Sequence, residues 1–149
     1  MESIASDVVD SAVKIHSALG PGLLESAYQA CLAHELARRN HKVSAEILLP
    51  LHYEGLTIDK AYRVDMLVDD LVIVENKVVQ SLLPIHQAQV FTYLKITQLN
   101  LGLLINWNNR LIKHGIKRIA HSIRINRSPP GFFVSWLLCD IKIFLLAGE

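Results

Sequence analysis

Residues 64 to 79 read VDMLVDDLVIVENKVV, a run of valine, leucine, isoleucine and methionine interrupted by Asp65, Asp69, Asp70, Glu75 and Lys77. Asp69 and Asp70 are adjacent acids between two apolar runs, which makes a natural exposed turn. Asp65, Glu75 and Lys77 instead fall in segments built for burial. An unpaired charge there costs several kcal/mol or shifts its pKa until it neutralises, so such groups are paired or hold a metal. Two carboxylates and an ammonium gathered on one face would offer hard oxygen ligands suited to Mg²⁺ or Mn²⁺, with the lysine beside an attacking water. The same residues would serve equally as a buried Asp–Lys or Glu–Lys ion pair without chemistry, and their spacing alone leaves both open.

Whether the three residues meet depends on strand register. Glu75 and Lys77 are two apart on a predicted strand and leave the same face, while Asn76 leaves the other. Asp65 lies on the preceding strand and joins them only if directly paired residue numbers sum to an even value. A plain two-residue hairpin at Asp69-Asp70 would pair 68 with 71 and turn Asp65 away. The site therefore requires a three- or five-residue loop, or a bulge, in this hairpin.

The elements that must position these residues follow from periodicity. Ile4, Val8, Ala12, Ile15 and Leu19 recur at helical spacing until Gly20-Pro21-Gly22 breaks the pattern. A second helix from about Leu23 to Arg39 carries Leu24, Tyr28, Cys31, Leu32, Glu35 and Leu36 along one side. VSAEILLPLHY, LTIDKAYRVDMLV and LVIVENKVV then read as antiparallel strands joined by turns at Glu54-Gly55 and Asp69-Asp70, with Pro50 favouring an edge or a bulge. Pro84 opens a third helix, LNLGLLIN is suited to a buried strand, and LIKHGIKRIAHSI is a last strand after a turn at Trp107 to Arg110. The order is α-α-β-β-β-α-β-β, an α/β fold with a mixed central sheet flanked by helices. Residues 1–128 form one domain. Residues 129–149 are an apolar extension expected to pack, as a strand or strand pair, on the core or on a partner subunit.

With 149 residues, 51% of them hydrophobic, one core is expected, and a net charge of +1 gives no global field, so nucleic-acid contact would need a local basic patch. Arg38-Arg39, Lys113, Lys117-Arg118, Arg124 and Arg127 are the candidates for such a strip, with solvated surface charge as the alternative. Cys31 and Cys139 match no zinc spacing and read as reduced, buried thiols, and the seven histidines show no paired metal spacing. The acidic N-terminus lacks the regions of a signal peptide, which points to the cytoplasm. FFVSWLLCDIKIFLLA, residues 132 to 147, is too short and too charged at its centre to span a bilayer, so no membrane partner is expected.

The segment GLLESAY, residues 22 to 28, has Gly22, Glu25 and Tyr28 in a GxxExxY pattern. Asp65, Glu75-Asn76-Lys77, Gln89 to Tyr93, the Leu-Leu-Ile-Asn run at 103 to 106 and Gly115 to Arg118 follow in order. Over roughly residues 8 to 121 this arrangement resembles the GxxExxY family, a branch of the PD-(D/E)XK nuclease superfamily, and the QxxxY element is similar to that of RecB-like exonucleases. The resemblance implies a restriction-endonuclease-like core and a Mg²⁺- or Mn²⁺-dependent nuclease with nucleic acid as its partner, DNA being favoured over RNA. It implies that Asp65 and Glu75 hold the metal, that Glu25 contributes from its helix, that Lys77 assists the attacking water, and that Gln89 and Tyr93 support the site. Gln89 and Tyr93 also share a helical face with His86, for which an ordinary surface role is the alternative, as a core role is for Tyr93.

Two departures stand out. Asn76 fills the middle of ExK, where an apolar residue is usual, so that face of the strand is expected to be less buried or to touch a neighbour. Trp107 stands where a smaller aromatic is expected. The competing functions are a catalytically silent nuclease-fold module binding nucleic acid or protein, and a homo-oligomer assembled through the C-terminal segment.

Overall fold

The computed structural model describes residues 1–121. Helix α1 spans Glu2–Leu19 and buries Ile4, Val8, Ala12 and Ile15 along one stripe. It stops at Gly20, whose φ of 68° suits glycine and whose N–H reaches the His16 carbonyl at 2.8 Å. Helix α2, Glu25–Arg38, begins two residues later than its pattern suggests, because the Leu23-Leu24 pair is spent on the connection and Leu24 is 77% exposed. Tyr28 clamps this connection: its hydroxyl donates to the Gly20 carbonyl (2.5 Å) and accepts from the Leu23 N–H (3.3 Å). Cys31 is half-buried rather than fully buried.

Strands β1 (Val43–Tyr53), β2 (Leu56–Val68) and β3 (Val72–Lys77) form an antiparallel meander. Helix α3 (Pro84–Thr97) crosses over to β4 (Leu101–Asn106), which pairs parallel to β3, and β5 (Ile116–Ala120) closes the sheet antiparallel to β4. The five-stranded mixed sheet has the order β1-β2-β3-β4-β5 and is flanked by helices on both faces, a restriction-endonuclease-like architecture. The register slips between Leu49 and Leu51, so Pro50 sits both on an edge strand and at an irregularity, where its missing N–H does least harm. Tyr53 pairs with Leu56 across a two-residue turn whose Glu54 and Gly55 both have positive φ, the hairpin geometry that follows strand twist.

One face of the sheet, with Met66, Val68, Val72, Val74, Leu103 and Ile105, packs against α1 and α2, and the other, with Ile73 and Leu104, packs against Val90, Tyr93 and Leu94 of α3. β4 is buried at every residue because both its faces are covered. Gly102 lets α3 come close: a Cβ there would lie 2.5 Å from Val90 Cγ1.

The last strand is shorter than its apolar pattern suggests. Ile112–Gly115 forms a single helical turn, α4, that drops Ile112 into the core beside α1 and presses Gly115 against the Asn106 carbonyl, where a Cβ would lie 2.3 Å away. A continuous strand would hold these residues away from that core. The segment 132 to 147 and Cys139 lie outside the described residues. Among the described residues no helix is long and apolar enough to cross a membrane.

Candidate active site

The β2–β3 hairpin has the required parity. Val68 pairs with Val72, Leu67 with Ile73 and Met66 with Val74, an even register set by a three-residue loop, Asp69-Asp70-Leu71. Asp69 and Asp70 adopt φ of 51° and 58°, a left-handed conformation that aspartate tolerates better than most residues. His41 and Lys42 hold the loop. His41 Nδ1 lies 2.6 Å from Asp69 Oδ2, the Lys42 N–H donates to Asp69 Oδ1 at 2.8 Å, and Lys42 Nζ bonds Asp70 at 2.8 Å.

β2 changes face at Asp65. Met66 and Val68 are buried against α1 and α2, yet Val64 is buried with α3. Across the β1 ladder, Glu46 lies between the pairs Ala45↔Met66 and Ile47↔Val64 and has φ 54°, which a non-glycine residue seldom adopts. The paired register with β3 ends at Met66↔Val74, and the next inward amide, the Asn76 N–H, is taken at 2.8 Å by the Asp65 carboxylate. Gln29 on α2 donates to the Asp65 carbonyl at 3.4 Å, one helical turn beyond Glu25. The strand thus separates where its carboxylate is needed.

All six residues singled out from the sequence, Glu25, Asp65, Glu75, Lys77, Gln89 and Tyr93, line one cleft of about 340 Å³. Glu75 forms its floor at 1% exposure; Oε1 accepts from Lys77 Nζ at 2.6 Å, and among the described residues Oε2 has no hydrogen-bond partner. Burial lifts the Glu75 carboxyl from 4.5 to about 7, the bond to Lys77 and the nearby Asp65 backbone N–H pulling it down and the Asp65 charge adding to the rise. Burial likewise raises Asp65 against the Asn76 N–H bond and the charges of Lys77 and Arg63. Burial works to lower the Lys77 pKa, but the bond to Glu75 and the charges of Glu75, Asp65 and Glu25 outweigh it, and Lys77 is held as a firm cation. Tyr93 is buried as a core residue, yet its hydroxyl reaches the cleft, accepting from Gln89 Nε2 (2.6 Å) and donating to the Arg63 carbonyl (3.1 Å). The pair therefore ties α3 to β2 beside Asp65.

A family model for the PD-(D/E)XK nuclease superfamily matches residues 2–119, most of the chain. The chain belongs to the PD-(D/E)XK nuclease superfamily. No curated protein and no solved structure matches it. For a member of this superfamily, a nuclease-type fold, nucleic acid as the partner and the common use of divalent metals follow at the level of the superfamily.

Within this nuclease-superfamily chain the two departures explain each other. Asn76 is fully buried, so of the two expectations for this face the lesser burial is not met: Trp107 Nε1 donates to its Oδ1 at 2.9 Å, and its amide lies 3.6 Å from Met66 Sδ. The Trp107 ring stacks on Tyr28 with centroids 4.6 Å apart. The larger indole thus supplies the donor that a buried asparagine requires.

Among the described residues the basic strip does not form at the cleft. Arg118 is spent on Glu2 through two 2.6 Å bonds, and Arg39 pairs with Asp7 and Glu35, while Arg38 lies 4.0 Å from Glu35. β5, which carries Lys117 and Arg118, lies two strands from β3, and none of the five candidates among the described residues lines the cleft. Arg124 and Arg127 lie outside the described residues. His86 accepts the Leu83 N–H at 3.1 Å and so caps α3 instead of lining the cleft. Sequence reasoning missed Ala61, Tyr62 and Arg63, which line the cleft on the stretch of β2 just before Asp65. Their proximity to Asp65 in sequence was the available signal.

The donor set suits a hard divalent cation. Among the described residues no three acidic, histidine or cysteine side chains come together as a group that could hold a metal ion, so Glu25 lines the cleft without closing a three-carboxylate set with Asp65 and Glu75. Two carboxylates at an open cleft are nonetheless the set Mg²⁺ ordinarily takes from protein, since it retains waters and recruits phosphate oxygens. Glu75 Oε2 is the specific observation: with Lys77 bonded to Oε1, this second buried carboxylate oxygen beside the cleft has no hydrogen-bond partner among the described residues.

Proposed function

We propose that the protein is a Mg²⁺- or Mn²⁺-dependent nuclease that hydrolyses phosphodiester bonds, with DNA as its substrate. The observation that carries this reading is the convergence of the six residues on one cleft whose floor holds Glu75, one carboxylate oxygen of which has no hydrogen-bond partner among the described residues. Asp65 and Glu75 would hold the ion, with Glu25 contributing from the start of α2. When bound, such an ion lowers the pKa of water and neutralises charge on the reacting oxygens.

The chain's own side chains supply the rest. Lys77, tethered at 2.6 Å to Glu75, places a fixed positive charge where negative charge develops on the phosphate, and it orients the attacking water. Gln89 and Tyr93 position the site by bonding to each other and to the β2 backbone. Gly22 (φ 110°), Glu25 on the cleft wall and Tyr28 at the helix connection give each letter of the GxxExxY pattern a physical role, which supports placing the chain in that branch.

The test is incubation of the full chain with labelled single- and double-stranded DNA in Mg²⁺, Mn²⁺ or EDTA, beside Glu75→Ala and Lys77→Ala. Cleavage should require the metal, and Lys77→Ala should remain folded while losing about 10²-fold or more in rate. Undiminished cleavage by Lys77→Ala would exclude the role given to it. Binding without cleavage under every condition would identify a catalytically silent nucleic-acid-binding module.

A further inference from the structure

Arg63 is an exposed cation at the mouth of the cleft, on β2 two residues before Asp65. Among the described residues its side chain has no hydrogen-bond or ion-pair partner, whereas Arg38, Arg39 and Arg118 are all engaged with acids. Its backbone is fixed: the Tyr93 hydroxyl bonds its carbonyl at 3.1 Å and is itself held by Gln89. The guanidinium is close enough for its charge to act on the Asp65 carboxylate without forming a salt bridge with it. A strongly charged group is thus held on an anchored strand beside the reacting centre and left free.

We propose that Arg63 binds a substrate phosphate next to the scissile one and so fixes the register of the nucleic-acid strand in the cleft. This rests on the nuclease reading above. The flanking position follows from depth and division of labour. Lys77 is already the cation at the floor, bonded to Glu75, and its side chain is only 16% exposed. Arg63 stands at the solvent side, roughly 6 to 7 Å along β2 from Asp65 at about 3.3 Å per residue. A planar guanidinium there can grip two oxygens of one phosphate. A contact made equally before and during reaction strengthens binding without lowering the chemical barrier, so its loss appears in KM and not in kcat.

The experiment compares wild type, Arg63→Ala and Arg63→Lys by steady-state cleavage of a labelled single-stranded oligonucleotide in Mn²⁺. Binding of the same oligonucleotide is measured by fluorescence anisotropy in EDTA between 50 and 200 mM NaCl. Arg63→Ala should raise KM about tenfold or more while kcat stays within about threefold, and the slope of log K against log salt should shrink by about 0.7, the value for one phosphate on a single strand. Arg63→Lys should recover most of the slope but less of the KM, because it keeps the charge and loses the fork. The thermal midpoint should not move, since the anchoring bond uses the backbone carbonyl. An unchanged KM and slope in Arg63→Ala would overturn the assignment, as would a fall in kcat alone, which would place Arg63 at the scissile phosphate. If wild type binds but does not cleave, the nuclease reading fails on its own, and the salt slope still decides Arg63. If wild type neither binds nor cleaves, both are overturned.

Discussion

Replacing Glu75 by glutamine should stabilise the metal-free protein, and should do so only as pH rises. In the folded state Glu75 is 1% exposed and its carboxyl is lifted by burial from 4.5 to about 7. Unfolding returns it to its ordinary value. The folded protein therefore holds the proton more tightly than the unfolded chain, and stability falls as pH climbs from about 4.5 through about 7. At about 1.4 kcal/mol per pKa unit, the full interval corresponds to about 3 kcal/mol. Glutamine has no charge at any pH, keeps an oxygen for Lys77 Nζ, and leaves one buried polar atom unpartnered as before, so the difference between the two proteins isolates the titration. Urea unfolding in EDTA should show the difference moving in favour of Glu75→Gln by about 2 to 3 kcal/mol between pH 5 and pH 8. A difference that stays constant across that range would refute the assignment of a buried, under-compensated carboxylate. Adding Mg²⁺ or Mn²⁺ should stabilise wild type and not the variant, because only the wild-type carboxylate gains a counter-charge.

Asn76→Leu should cost about 1 to 3 kcal/mol by leaving the Trp107 indole N–H unpaired in the core. A double-mutant cycle with Trp107→Phe should give a coupling of about 1 kcal/mol or more, and additive effects would mean that the bond contributes nothing. His41 is raised by its hydrogen bond to Asp69 and then by that to Asp7, against burial, so its contribution is complete below 6.5 and is lost as pH rises through the folded value. The thermal midpoint of His41→Asn should accordingly depend less on alkaline pH than that of wild type, and parallel curves would exclude this role. Gly102→Ala should cost about 1 to 3 kcal/mol and impair cleavage, because its Cβ would press Val90 and displace the helix that carries Gln89 and Tyr93. Adding Val90→Ala should restore part of both, which a defect unrelated to the α3 contact would not show.

The sheet hairpins were legible because side-chain alternation has a period of two. The charges of VDMLVDDLVIVENKVV could share a face in only one parity, and the three-residue loop supplies it. Helix α3 was legible from Pro84, and the break before α2 from Gly20 and Gly22. The face switch at Asp65 was not, because the strand reads as a regular alternation and the left-handed residue that accompanies the switch, Glu46, lies on a neighbouring strand. The Asn76–Trp107 bond joins residues 31 apart through the β3–β4 pairing, whose register no local pattern specifies. Arg63 is not legible as a site residue because an exposed charged residue on a strand looks like ordinary surface until a cleft is seen beside it.

Burial both holds this fold together and gives the cleft its charge problem. β3 and β4 are covered on both faces, and β3 is buried from Val72 to Asn76, so Glu75 can reach solvent only if something nearby draws back. β2 does so at Asp65, where the ladder stops and a carboxylate takes the Asn76 amide in place of a backbone carbonyl. That substitution keeps the amide satisfied while opening the side of Glu75, and it brings a second negative charge close to the first. Lys77 answers one of them through Glu75 Oε1, and among the described residues Oε2 is left without a hydrogen-bond partner. A core refined for stability alone would replace Glu75 with an apolar residue and extend the ladder past Met66. The irregular strand, the strained Glu46 and the orphaned oxygen together mark the place where stability gives way to a requirement for charge.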